Sequence, residues 1–349
     1  MDNTGKTMEI VVSEHLCRSL PERLEQHRGA VIVADPATRA AVGEDIFLHL
    51  VEAMRATVHM LPFSPKPQQS IALSIPEAPS MLAIGSGTIN DLVKFAAHTR
   101  HVPYAVIATA PSMNGYTSST ASLIENGHKQ SLQATAPIAV YADTHVLAHA
   151  PTRMIAAGVG DTLCRSTVEA DWRLAHIRGK AQYEDAIMAP LREAEHALLP
   201  HTARLKARDT GTIALLWDAL IAGGNAMRTH GSSMPASQGE HMIAHAMEAT
   251  YGHNGSLHGE DIAVATLTMV RLQEMLKPML RRDAQWITEH SIAPETLQKA
   301  LADAGCPLTP EAIGWDKEAY KTTVNNAWKT RDRYGFLAFA AELGVEPFA

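Results

Sequence analysis

The chain has 349 residues, a net charge of −7, three cysteines and 18 histidines. With 46% hydrophobic and 19% charged residues it reads as a folded soluble protein of about two domains, not a disordered one, and its acidic balance lacks the basic footprint of a nucleic-acid binder. Scattered Cys17, Cys164 and Cys306 exclude a disulfide framework or a cysteine zinc cluster and fit a reducing, cytoplasmic compartment; no run of about 18 apolar residues exists to span a membrane, and the MDNTGKTMEI start lacks the features of a signal peptide.

In chain order, VVSEHLCRSLPERLEQ reads as a lead-in followed by an amphipathic helix. AVIVAD (30–35) is a short apolar run that suits a buried parallel strand. Helical DIFLHLVEAM, strand ATVHMLP, a proline-rich loop with a short helix, strand SMLAIGSG (80–87), helix TINDLVKFAAH, strand YAVIATA (104–110) and strand PIAVYAD (137–143) follow. Strands about 25 residues apart with helices between them imply βαβ units and a parallel sheet. From Pro151 onward every segment carries helical periodicity and strand signals cease. The expected fold is therefore α/β plus all-α, with a Rossmann-like domain over 1–150 and a helical domain over 151–349.

Three stretches hold residues suited to chemistry. Gly85, Ser86, Gly87 and Thr88 lie between a strand and a helix, where glycines admit a phosphate and the helix N-terminus favours an anion; the same pattern also serves as a plain structural turn, with Lys94 as a solvated helix position. Asp35, ending a strand, suits either a ribose hydroxyl or a helix N-cap. TAPSMNGYTSSTAS (109–122) is a polar loop at the end of a parallel strand, where open α/β sheets bind ligands, or an ordinary turn-rich connection. In SQGEHMIAHAME, His241 and His245 share one helix face at i, i+4, and Ser237 with Glu240 makes a capping-box pattern. His258 precedes a further helix, and Asp161 reads as lying at a glycine-bounded helix start. One carboxylate and two imidazoles would leave an open position on a catalytic divalent metal, although histidine-rich helices also occur as polar faces and Asp161 could be an N-cap.

Taken together, VIVADPATR, AIGSGTINDLVK, TAPSMNGYTSSTAS, GHKQSL, APTRMIAAGVGDTLCRSTVEADW, PASQGEHMIAHAME and HGEDIAVATL resemble the glycerol-1-phosphate dehydrogenase family, within the superfamily of iron-containing alcohol dehydrogenases, glycerol dehydrogenases and dehydroquinate synthases. The resemblance implies an active site in the cleft between two domains, with Asp161, His241 and His258 as metal ligands for Zn²⁺, or Ni²⁺ or Fe²⁺, and His245 beside the metal. It implies that Asp35 faces the adenosine ribose of NAD or NADP. Gly85, Ser86, Gly87 and Thr88 would hold the pyrophosphate, with Asn90, Asp91 and Lys94 close behind. Thr109, Ser112 and Ser118 would line the nicotinamide and substrate cleft, and Lys129 would meet substrate phosphate. A homo-oligomer and a small polyol phosphate substrate are also implied. Arg39, after Asp35, offers a partner for a 2′-phosphate.

The implied reaction is hydride transfer between the carbinol carbon of sn-glycerol 1-phosphate and nicotinamide C4, giving dihydroxyacetone phosphate. Two positions depart from the family pattern: Asn114 replaces an Asp, and Met234 stands where an Arg is usual, so neither supplies charge. The competing readings are a dehydrogenase of an unphosphorylated polyol, a dehydroquinate-synthase-like lyase, which Asp161 disfavours because that family resembles Glu there, and a nucleotide-binding scaffold without catalysis.

Overall fold

The computed structural model describes residues 8–125, 128–252 and 254–348, the side chains of residues 128 and 129 excepted. The chain forms two compact units. One runs to Pro151 and adds Arg208–Trp217; the other comprises Thr152–Ala207 and the chain from Asp218 onward.

The first unit contains strands β1 (Glu9–Ser13), β2 (Val31–Ala34), β3 (Thr57–Met60), β4 (Met81–Gly85), β5 (Tyr104–Ala108), β6 (Thr120–Glu125), β7 (His128–Gln133) and β8 (Ala139–Asp143). Six of them form a parallel sheet in the order β1-β8-β5-β4-β2-β3. The four inner strands are buried along their whole length, as near-continuous apolar runs require when both faces of a sheet are covered. Ile32, Ile84, Ile107 and Tyr141 pack with Leu20, Leu24, Phe47 and Leu50 on one side. The chain reverses direction across the sheet between β2 and β4, and the loops after these two strands carry Asp35 and Gly85–Thr88, where ligands of open α/β sheets bind.

Two elements correct the sequence reading. The expected lead-in is β1, registered on β8 from Glu9↔Ala139 to Ser13↔Asp143. As an edge strand it carries only the short apolar run Ile10–Val12 between Glu9 and Ser13, with Ile10 and Val12 exposed. The polar stretch after β5 is not all loop: it turns into β6, which pairs antiparallel with β7 as a separate two-stranded ribbon.

In the second unit all regular structure among the described residues is helical. Met242, Ile243 and Met247 of the helix Gly239–Tyr251 pack with Ile262, Met269 and Leu272 of the helix His258–Leu276 and with Trp315, Tyr320 and Phe336. No helix among the described residues is long and apolar enough to cross a membrane.

Candidate metal centre

Asp161, His241 and His258 come from three helices of the second unit. Asp161 lies in the last turn of Thr152–Thr162, His241 in the first turn of Gly239–Tyr251, and His258 opens His258–Leu276. The position of Asp161 corrects the expectation of a helix start, and with it the N-cap reading. The glycines around it have another purpose. A Cβ on Gly160 would lie 2.0 Å from the Gly259 carbonyl oxygen, and one on Gly259 would lie 1.7 Å from that of Ala157. Only two glycines allow these helices to touch backbone to backbone, and each glycine adjoins a ligand residue. Arg153, near the start of the same helix, clamps the partner helix through paired 2.7 Å bonds to Glu260 and a 2.8 Å bond to the Gly255 carbonyl.

The close approach sets the geometry. Asp161 Oδ1 is 3.7 Å from Nε2 of both His241 and His258, and the three ligand atoms lie within 4.8 Å of one another. A tetrahedral ion with bonds of about 2.1 Å separates its ligands by about 3.4 Å, so the spacing suits a divalent ion. The charge distribution suits one too. Asp161 is buried at the C-terminal end of its helix, where the dipole disfavours an anion. Glu240, fully buried, lies next to it in space through His241. Burial works against ionisation of Glu240, but bonds from His241 and the Gln238 N–H outweigh it and keep its carboxyl below the usual range. Burial likewise opposes a proton on His241, yet Asp161 and Glu240 prevail and raise its pKa. A buried anionic cluster with two imidazoles is therefore a natural cation site.

The sequence pattern predicts a capping box between Ser237 and Glu240. The structure makes Gln238 the N-cap, with no side-chain cap bond. Glu240 Oε1 instead accepts from Gln238 N–H and from His241 Nδ1, both at 2.8 Å, while Ser237 Oγ accepts from Arg331 at 3.2 Å. A carboxylate on Nδ1 fixes the tautomer that leaves Nε2 as a lone-pair donor. Cys164, also close to His241 and Glu240, is no thiolate: burial pushes its pKa far up, and its Sγ donates to the Asp161 carbonyl.

His245 is half-buried one turn beyond His241, its ring centroid 6.1 Å from that of His241 and 5.8 Å from that of His258. The helix that bears both is anchored by Asp171, which no sequence signal marked. Its Oδ2 accepts from Gly239 N–H at 3.0 Å and its Oδ1 from Phe336 N–H at 2.8 Å, so one buried carboxylate caps two helices. Cβ atoms on Gly239 or Gly335 would crowd it, at 2.9 Å from Asp171 Oδ2 and 2.7 Å from Asp171 Cγ respectively.

In the first unit, Asp35 is the N-cap of Pro36–Val42 in a reciprocal capping box with Thr38. Arg39 is held by Glu44 and lies over the Phe47 ring at 4.6 Å. Gly85 ends β4 and must be glycine, because a Cβ would meet Ile89 at 2.6 Å. Ser86 makes no side-chain cap bond, which leaves first-turn N–H groups of the helix Gly87–Arg100, beside Thr88, available to an anion. Lys94 is not solvated. It is fully buried, and its Nζ donates to Gly115 O (2.7 Å), Thr120 O (3.0 Å) and Ser118 Oγ (3.2 Å). Asp91 accepts from Ser122 N–H at 3.0 Å and lies 3.5 Å from Lys94 Nζ. Lys94, Asp91 and buried Ser118 thus brace the 109–122 segment, while Ser112 and Asn114 are half-buried and Thr109 N–H donates to Gly85 O. Lys129 belongs to β7, and its side chain lies outside the described residues.

Met234, half-buried, packs against the cluster that holds Trp172 and Met188. Positive charge is nonetheless present. Arg333 donates to Ser237 O and to Ser233 Oγ, and Arg331 to Ser237 Oγ, so two guanidinium groups flank the turn that leads into His241. Burial, and for Arg333 also Arg331, lowers both, Arg333 to about 10. Among the described residues neither forms an ion pair with a carboxylate.

Comparison with known proteins gives a consistent picture. The family model described as iron-containing alcohol dehydrogenase matches residues 11–151. A glycerol-1-phosphate dehydrogenase (NAD(P)+) of Geobacillus stearothermophilus is 30% identical, the alignment covering 92% of this chain and 88% of the relative. One of Sulfolobus acidocaldarius is 35% identical over 74% of this chain and 69% of the relative. Among solved structures, glycerol dehydrogenase from Schizosaccharomyces pombe superposes with a TM-score of 0.70 at 19% identity, covering 98% of this chain and 91% of that one. Sulfoacetaldehyde reductase from Bifidobacterium kashiwanohense, in complex with NAD+, gives 0.70 at 14% identity and 97% coverage of both.

Proposed function

The chain belongs to the glycerol-1-phosphate dehydrogenase family, within the iron-containing alcohol dehydrogenases, and on that premise we propose a role for each residue of its site. The enzyme is an NAD(P)-linked, metal-dependent dehydrogenase that interconverts sn-glycerol 1-phosphate and dihydroxyacetone phosphate. Asp161, His241 and His258 hold the divalent metal, for which two imidazoles and a carboxylate suit Zn²⁺ best and Ni²⁺ or Fe²⁺ also. Gly85, Ser86, Gly87 and Thr88 hold the cofactor pyrophosphate at the uncapped helix start, and Asp35 meets the ribose. The single observation that carries the reading is the placement of His241 Nε2 and His258 Nε2 at 3.7 Å from one carboxylate oxygen.

With both groups bound, the site is supplied with a Lewis acid and a hydride carrier. The chain's own side chains do the rest. Glu240 keeps the His241 tautomer, and Asp171 holds the helix that carries His241 and His245. His245 presents an imidazole nitrogen that takes the substrate hydroxyl proton and returns it in the reverse direction. Arg331 and Arg333 supply the phosphate-binding charge that Met234 does not, as desolvated cations without a carboxylate partner would. Asn114, an amide, contributes hydrogen bonding only.

The test is a substrate panel. Dihydroxyacetone phosphate should drive NADH or NADPH oxidation, with dihydroxyacetone a far poorer substrate, and Arg333→Met should raise KM for the phosphate ester while leaving the unphosphorylated ketone unaffected. Preference for the unphosphorylated ketone would overturn the phosphate assignment.

A further inference from the structure

A second histidine cluster lies in the first unit, at the C-terminal ends of β1 and β8. Glu14 and His15 follow β1; His145 and His149 lie on the helix Thr144–Ala148 and at its C-cap, with the same i, i+4 spacing as His241 and His245. Ligand-type atoms of Glu14, His15 and His145 lie within 4.8 Å of one another. The three rings follow one another as tilted neighbours, with centroids 4.9 Å apart for His15 and His145 and 4.3 Å for His145 and His149. His149 Nδ1 is 2.7 Å from the His145 carbonyl oxygen, which can only accept, so the neutral ring carries its lone pair on Nε2.

These side chains are exposed, but the backbone beneath them is fixed. Buried Asp143 accepts from His15 N–H and His145 N–H at 3.0 Å each, and from Cys17 N–H at 2.9 Å. One carboxylate thus ties both limbs of the cluster together. Arg208 bonds the carbonyls of Ala148 and Ala150, on either side of His149. His15 itself adopts a left-handed backbone, with φ of 58°, a region that Asn, Asp and His enter more readily than other non-glycine residues. Fixed limbs reduce the entropy lost on binding, which distinguishes this group from scattered surface histidines.

We propose that Glu14, His15 and His145, supported by His149, form a second, surface site for a divalent transition-metal ion of the Zn²⁺, Ni²⁺ or Cu²⁺ class. Two or three imidazoles and a carboxylate favour these ions over Mg²⁺ or Ca²⁺, which take oxygen ligands. Such an ion would tie the edge strand β1 to the helix after β8.

The experiment is a calorimetric titration of the metal-loaded enzyme with Ni²⁺, with bound metal counted after gel filtration. The wild-type protein should take up a second equivalent per chain. His15→Asn/His145→Gln should bind one, with turnover unchanged, since Asn accepts the left-handed backbone. Chelator-stripped His241→Ala should still take one ion. A wild-type protein that stops at one equivalent, a double variant that still binds two, or a stripped His241→Ala that binds none would each overturn the proposal.

Discussion

Gly160 and Gly259 touch so closely that a Cβ on Gly160 would lie 2.0 Å from the Gly259 carbonyl oxygen. The neighbours of these glycines in sequence, Asp161 and His258, face one another across 3.7 Å because of that contact. Gly259→Ala should therefore part the two helices. The expected loss is about 3 kcal/mol or more of stability, together with loss of bound metal. Denaturant unfolding and metal analysis of the purified variant check both, and an alanine variant with wild-type metal content would refute the link.

Glu240 reaches the candidate metal site through its 2.8 Å bond to His241 Nδ1 and adds a buried negative charge beside it. Glu240→Gln keeps an acceptor for Nδ1 but removes the buried charge. Metal affinity should fall roughly 10- to 100-fold, read by competition with a chromophoric chelator, while the fold persists by circular dichroism.

Lys94 uses all three of its donors on the segment after β5. Lys94→Met leaves those acceptors and Asp91 without their cation. Stability should drop by about 3 kcal/mol, and KM for the nicotinamide cofactor should rise as the segment loosens. Thermal unfolding and cofactor titration separate the two effects.

Asp171 gives a pH signature. Burial raises its pKa to about 7, against the bonds from Phe336 and Gly239 and with some help from Glu240. Its folded value lies above its unfolded one, so the native state binds this proton more tightly. The associated stability is fully present below about pH 4 and is lost as pH rises toward 7. Asp171→Asn should be less stable overall, because the amide carbonyl can cap only partially, but its stability should fall less between pH 5 and 7 than that of the wild type. Urea unfolding at several pH values measures the difference, and parallel profiles would contradict it.

Much of this was legible in the sequence, for physical reasons. The inner strands declare themselves because a parallel sheet covered on both faces needs uninterrupted apolar runs such as AVIVAD and YAVIA. β1 escaped because its short Ile10–Val12 run sits between Glu9 and Ser13 on an edge where no residue is buried, and β6 because its Ser and Thr residues read as loop. The candidate metal-ligand set, Asp161, His241 and His258, is suggested by residue types and by the family resemblance, and the fold brings the three side chains together. What spacing could not convey is packing. Gly160 beside Asp161 reads as a helix boundary and is a helix contact; Lys94 reads as solvated and is a buried brace. Asp171 and the Arg331–Arg333 pair act on residues about 70 to 165 positions away, and no local pattern reports such contacts.

The central claim is that Asp161, His241 and His258 hold the metal on which turnover of a phosphorylated ketone depends. The most direct test follows NADPH or NADH oxidation with dihydroxyacetone phosphate in chelator-stripped enzyme, before and after adding back Zn²⁺ or Ni²⁺, for wild type and His258→Ala. Turnover should be absent without metal, return in the wild type on adding it back, and stay absent in the variant. Turnover that survives stripping, or full recovery in His258→Ala, would contradict that claim.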